Sequence, residues 1–271
     1  MQSAINSFLP PLGKHFIKWL AYPDYRHISR EVAKLKSLPR YQPATTDIHR
    51  RPLEMVDAAS FLYMYREIFE ECIYAFRAKS EKPYIIDGGA NIGLSVLYFK
   101  ELYPMSEIVA FEPDDMVFSV LEKNVRSNGH QDVKLICRAL WKEETTLTFM
   151  SEGADGGRVA RPGDQQHKTV QTTGLRDHLD RPVDFLKLDI EGAEAEVLVD
   201  CAAMLCNIEN LFVEYHSFAK EPQTLHTITD LLADAGFRLH IHTPLTSPQP
   251  FLHRDVSGGM DLQLNIFAFR A

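Results

Sequence analysis

The chain has 271 residues, 45% of them apolar and 24% charged, a balance that excludes a fibrous or disordered polymer and suits a globular core. Its formal net charge of −8 excludes the basic excess of a general nucleic-acid binder, so no nucleic-acid partner is expected. The four cysteines, Cys72, Cys137, Cys201 and Cys206, show no CxxC spacing and read as buried free thiols in a reducing cytoplasm.

The N-terminus carries an apolar stripe through Phe8, Leu12, Phe16, Trp19 and Leu20, interrupted by Pro10, Pro11, Gly13, Lys14 and His15. That spacing reads as a docking helix, and no integral membrane segment of roughly 20 apolar residues is present. Residues 1–80 read as a mostly helical or irregular extension broken by Pro39, Pro43 and Pro52. Its best helix runs from Ala58 to Phe76 on Phe61, Leu62, Tyr65, Ile68, Phe69, Cys72 and Ile73. This extension is expected to serve as a lid or a dimerisation region, and a homo-oligomer stays open.

From Pro83 the texture changes, and residues 81–271 read as one α/β domain. Strands are expected at Tyr84–Asp87, Glu107–Glu112, Val133–Cys137, Val183–Ile190 and Leu211–His216, with an added strand at Leu147–Met150 and late strands at Phe237–His242 and Leu262–Phe269. Helices are expected at Ile92–Leu102, Met116–Ser127, Ala193–Leu205 and Pro222–Ala235, the second stopped by Asn128-Gly129 and the last by Gly236. Ser151–Lys168, rich in Gly, Asp and Gln, reads as a mobile loop and a second lid. Such alternation implies a doubly wound, mostly parallel sheet. Ligands bind such sheets outside the carboxyl ends of the strands, which directs attention to Asp87, Glu112, Asp189 and His216.

The first of these ends opens Asp87-Gly88-Gly89-Ala90-Asn91-Ile92-Gly93, a glycine-rich strand-to-helix turn. Gly88 and Gly93 have P-loop spacing, but Leu94 stands where the phosphate-binding lysine belongs. A dinucleotide fingerprint is degraded because Ala90 replaces its middle glycine. Asp87 would repel a pyrophosphate and attract the ammonium of an amino-acid-like cofactor, which favours S-adenosylmethionine over NAD. Glu112, in Phe111-Glu112-Pro113-Asp114, ends the second strand and suits ribose hydroxyls, a feature both cofactors share.

In Lys187-Leu188-Asp189-Ile190-Glu191-Gly192-Ala193-Glu194, Asp189 would face the cofactor's amino or sulfonium end. Lys187 lies inside an apolar strand and is expected to pair with an acid. Glu194 reads as a helix N-terminal charge with a structural role. Period-2 alternation in Val213-Glu214-Tyr215-His216 puts Glu214 and His216 on one side, next to Asp189 if the two strands are neighbours. His216 reads as a general base for a substrate hydroxyl, against the alternative of a hydrogen-bonded structural histidine. The three side chains could instead ligate a metal, which ranks lower, so no metal is expected. His240 and His242 read as a surface or core pair.

Together these segments resemble the FkbM family of S-adenosylmethionine-dependent methyltransferases. The likeness covers roughly Met64 to Phe269 and rests on IIDGGANIGLS at 85–95, AFEPD at 110–114, ALW at 139–141, LKLDIEGAE at 186–194 and VEYH at 213–216. Gly89 stands where some relatives carry another small residue. The resemblance implies a Rossmann-like sheet of seven strands, six parallel and the last antiparallel. It implies cofactor contacts from Asp87, Gly88, Gly89, Ala90, Asn91 and Gly93, from Glu112, and from the backbone near Ala139. It also implies a small-molecule acceptor, a sugar or natural product methylated on oxygen. An NAD-dependent oxidoreductase and a non-catalytic cofactor-binding scaffold are the rival readings.

Overall fold

The computed structural model describes residues 23–150, 157–159, 167–254 and 259–270. The chain divides after Met64 into two compact units, Met1–Met64 and Tyr65–Ala271. The apolar stripe at 8–20 and most of the loop at 151–168 lie outside the described residues.

The first unit holds helix α1 (Pro23–Lys36), with proline at its first position and lysines in its last turn, where each suits the helix ends. An antiparallel hairpin follows, β1 (Ala44–Thr46) on β2 (Leu53–Met55), which the prolines at 43 and 52 conceal in the sequence. Helix α2 (Ala58–Tyr65) is started by Asp57, whose carboxylate accepts from the Ser60 amide at 2.9 Å.

The helix expected to run to Phe76 stops early. The chain passes into a π-helical turn, Arg66–Glu70, and Cys72 takes φ +55°. Buried Tyr74 and half-buried Phe76 then pack against Phe99, Phe185 and, for Tyr74, Phe212. Residues 65–76 are therefore part of the second unit's core and not a mobile lid. Burial periodicity alone could not separate these aromatics from a continuing helix.

The second unit is built on a seven-stranded sheet, β12-β13-β11-β10-β3-β4-β5. Its strands are β3 (Tyr84–Gly88), β4 (Glu107–Phe111), β5 (Lys134–Ile136), β10 (Val183–Leu188), β11 (Ile208–Phe218), β12 (Arg238–Thr246) and β13 (Met260–Phe269). Neighbours from β5 to β11 pair in parallel, and β13 is antiparallel to both β11 and β12, so it alone runs backwards. The strand order reverses between β3 and β10, and this is the crevice where open α/β sheets bind ligands. Helices α3 (Leu94–Leu102), α4 (Asp115–Ser127), α5 (Glu194–Asp200) and α6 (Leu225–Asp234) link the strands. Asp114 caps α4, accepting from Met116 N at 2.9 Å, and Gly129 turns the chain out of it at φ +93°.

Several boundaries differ from those read in the sequence. α5 ends at Asp200 and the chain continues as a 3-10 helix, Ala202–Asn207; α6 begins at Leu225, leaving Pro222 outside its first turn. A second sheet, β6-β9-β7-β8, is inserted after β5. It comprises β6 (Ala139–Trp141), β7 (Thr146–Met150), β8 (Arg158–Val159) and β9 (His167–Gly174), so parts of the expected loop at 151–168 are strand. Of the cysteines only Cys201 is buried; all four are free thiols. No helix among the described residues is long and apolar enough to cross a membrane.

Alternation along the central strands splits the core. Ile86, Leu186, Leu188, Val213 and Tyr215 pack with Val197 and Leu198 of α5 and Ile228 and Leu232 of α6. The opposite face carries Phe185, Lys187 and Phe212 against the aromatic group of Tyr74, Phe76 and Phe99. Lys187 is the Cα partner of both Asp87 and Phe212, which sets Glu214 and His216 just beyond it towards the carboxyl ends.

Candidate active site

Asp87 is completely buried near the end of β3. Its Oδ2 accepts from Ser95 Oγ in α3, while Oδ1 is buried with no hydrogen-bond donor among the described residues. Lys187 Nζ stands 3.6 Å from Oδ1, an ion-pair separation too long for a hydrogen bond. The same ammonium donates to the Gly89 carbonyl at 2.7 Å and to Asp189 Oδ2 at 3.1 Å. Lys187 thus ties the β3 turn to the β10 turn, pairing with acids as expected. Burial works against its charge, but Asp189 and Asp87 outweigh that and hold it above its ordinary value. Burial pushes the Asp87 carboxyl up, opposed by Lys187 and Ser95.

Gly89 sits where these two turns touch. A Cβ there would lie 1.8 Å from the Asp189 carbonyl oxygen, and its φ is +81°. The resemblance treats this position as exchangeable for another small residue; the packing corrects that, because no side chain fits.

The turn's own amides face inwards. Gly89 and Ala90 N–H donate to the Phe111 carbonyl at 3.0 and 2.8 Å, Asn91 N–H to Glu112 Oε2 at 3.1 Å, Ile92 N–H to Asn91 Oδ1 at 2.7 Å and Gly93 N–H to the Ala90 carbonyl at 2.9 Å. A pyrophosphate cradle needs such groups pointing outwards. Five successive amides committed within the protein, above a buried carboxylate, do not form one.

Glu112 follows β4 and also receives Asp114 N–H on Oε1 at 2.9 Å. Each carboxylate oxygen keeps a lone pair for a further donor. Burial pushes its pKa up to about 7, against the two backbone hydrogen bonds. Ala139 opens β6, and its neighbour Leu140 packs so tightly on Gly88 that a Cβ there would lie 2.7 Å from Leu140 Cδ1. The β6 start is thereby held beside the β3 turn.

On the other side of Lys187 lies an acid–histidine group. Asp189, Glu214 and His216 each present a ligand-type atom, all within 4.8 Å of one another. His216 Nδ1 is 3.0 Å from Glu194 Oε1, and its Nε2 faces Glu191 Oε2 at 3.6 Å and Glu214 Oε1 at 3.8 Å. Glu194 Oε1 also receives the amides of Ile190 at 3.2 Å and Gly192 at 3.0 Å, so one buried carboxylate shapes the turn and holds the ring. Burial alone would lower the imidazole, but Glu191, Glu194 and Glu214 outweigh it and raise His216 well above its ordinary value. Burial and then Asp189 raise the Glu214 carboxyl, which also accepts from Gln263.

The structure therefore gathers Asp87, Asp189, Glu214 and His216 around Lys187, with Glu112 and the glycine-rich turn on the neighbouring strand ends. Sequence reasoning missed two participants. Glu194 is the partner of His216, and Tyr74 is close enough to Asp189, Glu214 and Asp87 for their charges to add to the upward push of burial on its phenol. The helix-end position of Glu194 offered a sufficient explanation by itself, and its partner is 22 residues away. His240 and His242 form an exposed pair on β12, Nε2 to Nε2 3.1 Å.

A family model described as the methyltransferase FkbM domain matches residues 87–239. Methyltransferase 1 of Beauveria bassiana (strain ARSEF 2860) is 29% identical over 213 residues, covering 69% of this chain and 84% of the relative. Methyltransferase sdnD of Sordaria araneosa is 42% identical over 173 residues, covering 50% of this chain and 67% of that protein. Among solved structures, methyltransferase FkbM from Methylobacillus flagellatus KT is similar at 16% identity and a TM-score of 0.47, covering 89% of this chain. The chain spans 59% of the length of that structure.

Proposed function

The chain belongs to the FkbM methyltransferase family, and we propose that it moves the methyl group of S-adenosylmethionine to a hydroxyl oxygen of a small molecule, a sugar or a natural product. The observation that carries the cofactor assignment is Asp87 Oδ1, a buried carboxylate oxygen without a hydrogen-bond donor beside a turn that offers no pyrophosphate cradle. An ammonium-bearing cofactor supplies the missing donor; the pyrophosphate of a dinucleotide placed at this turn does not.

The residues fit such a ligand. Asp87 would take the amino group, the backbone of Gly88, Gly89, Ala90, Asn91 and Gly93 would line the cofactor, Glu112 would accept from the ribose hydroxyls, and the backbone at Ala139 would border the base. When bound, S-adenosylmethionine supplies an activated methyl on a sulfonium, so the difficult chemistry is the cofactor's.

The protein's task is then to position an acceptor oxygen and take its proton. Asp189, Glu214 and His216 are grouped for this at the ends of β10 and β11. Glu194 holds His216 by Nδ1, which turns Nε2 towards the carboxylates. With the cofactor bound, the methyl–sulfur bond would break as the methyl–oxygen bond forms and the hydroxyl proton would pass to this group, leaving a methyl ether and S-adenosylhomocysteine. His216, whose proton affinity the neighbouring carboxylates raise, would act as the general base from its deprotonated form, once Nε2 has given up its own proton.

Purified protein incubated with labelled S-adenosylmethionine and a panel of hydroxylated sugars and natural products is expected to give methyl ethers. His216→Ala is expected to retain cofactor binding and lose at least 10²-fold in turnover. Turnover equal to the parent protein's would remove His216 from the mechanism.

A further inference from the structure

We propose that Asp189, Glu214 and His216 bind one divalent transition-metal ion at the carboxyl ends of β10 and β11. Their ligand-type atoms lie within 4.8 Å of one another. An ion with bonds of about 2.0–2.2 Å needs ligand atoms about 3–4 Å apart, so small side-chain rotations complete the set.

Three further observations point the same way. His216 is held as a metal-binding imidazole is usually held: one ring nitrogen hydrogen-bonds a buried carboxylate, Glu194, and the other is left to the ion. The His216 side chain is 2% exposed, yet Nε2 faces Glu191 and Glu214 oxygens only at 3.6 and 3.8 Å, beyond hydrogen-bond range. Its direction is into the gap between Glu191 and Glu214.

Charge is the second. Asp189, Glu194 and Glu214 converge there, beside Lys187, which also serves Asp87, and the His216 ring. Acidic side chains gathered at a half-buried site are stabilised by a cation placed between them.

The third is Asn265 on β13, which is the Cα partner of Glu214 and therefore projects from the same face. Asn265 is 4% exposed, and its Oδ1 is buried without a donor among the described residues. The acid group is thus flanked by a second oxygen lacking a partner.

Ligand chemistry sets the class of ion. Imidazole suits first-row transition ions and carboxylates suit harder ones, so a mixed set favours manganese, iron or zinc over magnesium. Three protein ligands on one side leave open positions. An acceptor hydroxyl in one of them would ionise more readily; that catalytic role rests on the methyl-transfer reading above, whereas binding of the ion does not.

The test is titration of Mn2+ into the full chain, following loss of the free-ion electron spin resonance signal. One site per chain is expected. Affinity should fall at least tenfold in Glu214→Gln, which is isosteric and keeps a side-chain oxygen, and in His216→Ala. Glu194→Gln, which retains an acceptor for Nδ1 but not the negative charge, should weaken binding by about 10–100-fold. Calorimetric binding of S-adenosylhomocysteine to Glu214→Gln, equal to that of the parent, would show that its fold is intact. Absence of binding up to millimolar Mn2+, or equal binding by all variants, overturns the metal site. Mn2+ bound at this site without any binding of S-adenosylhomocysteine would uphold the metal site and overturn the methyl-transfer reading.

Discussion

Glu194 and His216 form a buried pair, Oε1 to Nδ1 3.0 Å, that joins the start of α5 to the end of β11. Because the same oxygen receives two amides of the preceding turn, Glu194→Ala would leave three groups, the buried His216 ring and two half-buried amides, short of a partner. The loss should be about 3–5 kcal/mol, the range seen when one member of a buried ionic pair is removed. Urea denaturation of the two proteins measures it. A difference under about 0.5 kcal/mol, typical of a neutral surface change, would mean the pair is not holding the turn.

Lys187 answers to two acids from inside the sheet. Lys187→Met should cost about 3–5 kcal/mol, since Asp87 and Asp189 lose their common cation. Adding Asp87→Asn should recover part of that loss, because one uncompensated charge goes with it. Additive losses in the double variant would contradict the coupling.

Two glycines with similar backbone angles should behave differently. Gly89→Ala drives a methyl into the Asp189 carbonyl at 1.8 Å and should abolish cofactor binding as the β3 and β10 turns separate. Gly129→Ala also sits at positive φ, +93°, but meets nothing within 4 Å, so it should cost only about 1–2 kcal/mol of backbone strain. Calorimetry with S-adenosylhomocysteine and a urea titration separate the two. Normal binding by Gly89→Ala would show that the turns can move apart freely.

Glu112 gives stability a pH dependence. Burial raises its carboxyl to about 7 from 4.5, so between these values the folded chain holds a proton that the unfolded chain has released. Its contribution is most favourable below the unfolded value and falls as pH rises through the folded one, by about 3 kcal/mol in all. Glu112→Gln should flatten the fall measured by urea unfolding at pH 5 and pH 8. Parallel curves for the two proteins would assign the slope elsewhere.

Much of the fold is legible because short apolar runs ending in Asp87, Glu112 and Asp189 alternate with amphipathic helices. The neighbour relation of β10 and β11, on which the grouping of Asp189 with Glu214 and His216 depends, could be stated from sequence only as a condition. Other features stay hidden for physical reasons. The π-helical turn after Tyr65, buried Tyr74 and half-buried Phe76 carry the same apolar spacing as a longer helix. The β6-β9-β7-β8 sheet is legible only at β7, expected as Leu147–Met150; β6 and β8 have three and two residues, too short for alternation to stand out, and β9 begins inside the polar segment that reads as a loop. Glu194 already had a complete local explanation at its helix end, so nothing in the sequence sent it to His216 across 22 residues.

The most direct test is calorimetric titration of S-adenosylhomocysteine and of NADH into the full chain, repeated with Asp87→Ala. Asp87 Oδ1 and the inward-facing turn predict one S-adenosylhomocysteine per chain, no NADH, and loss of binding in the variant. Binding of NADH, or undiminished S-adenosylhomocysteine binding by Asp87→Ala, would contradict the proposed cofactor site.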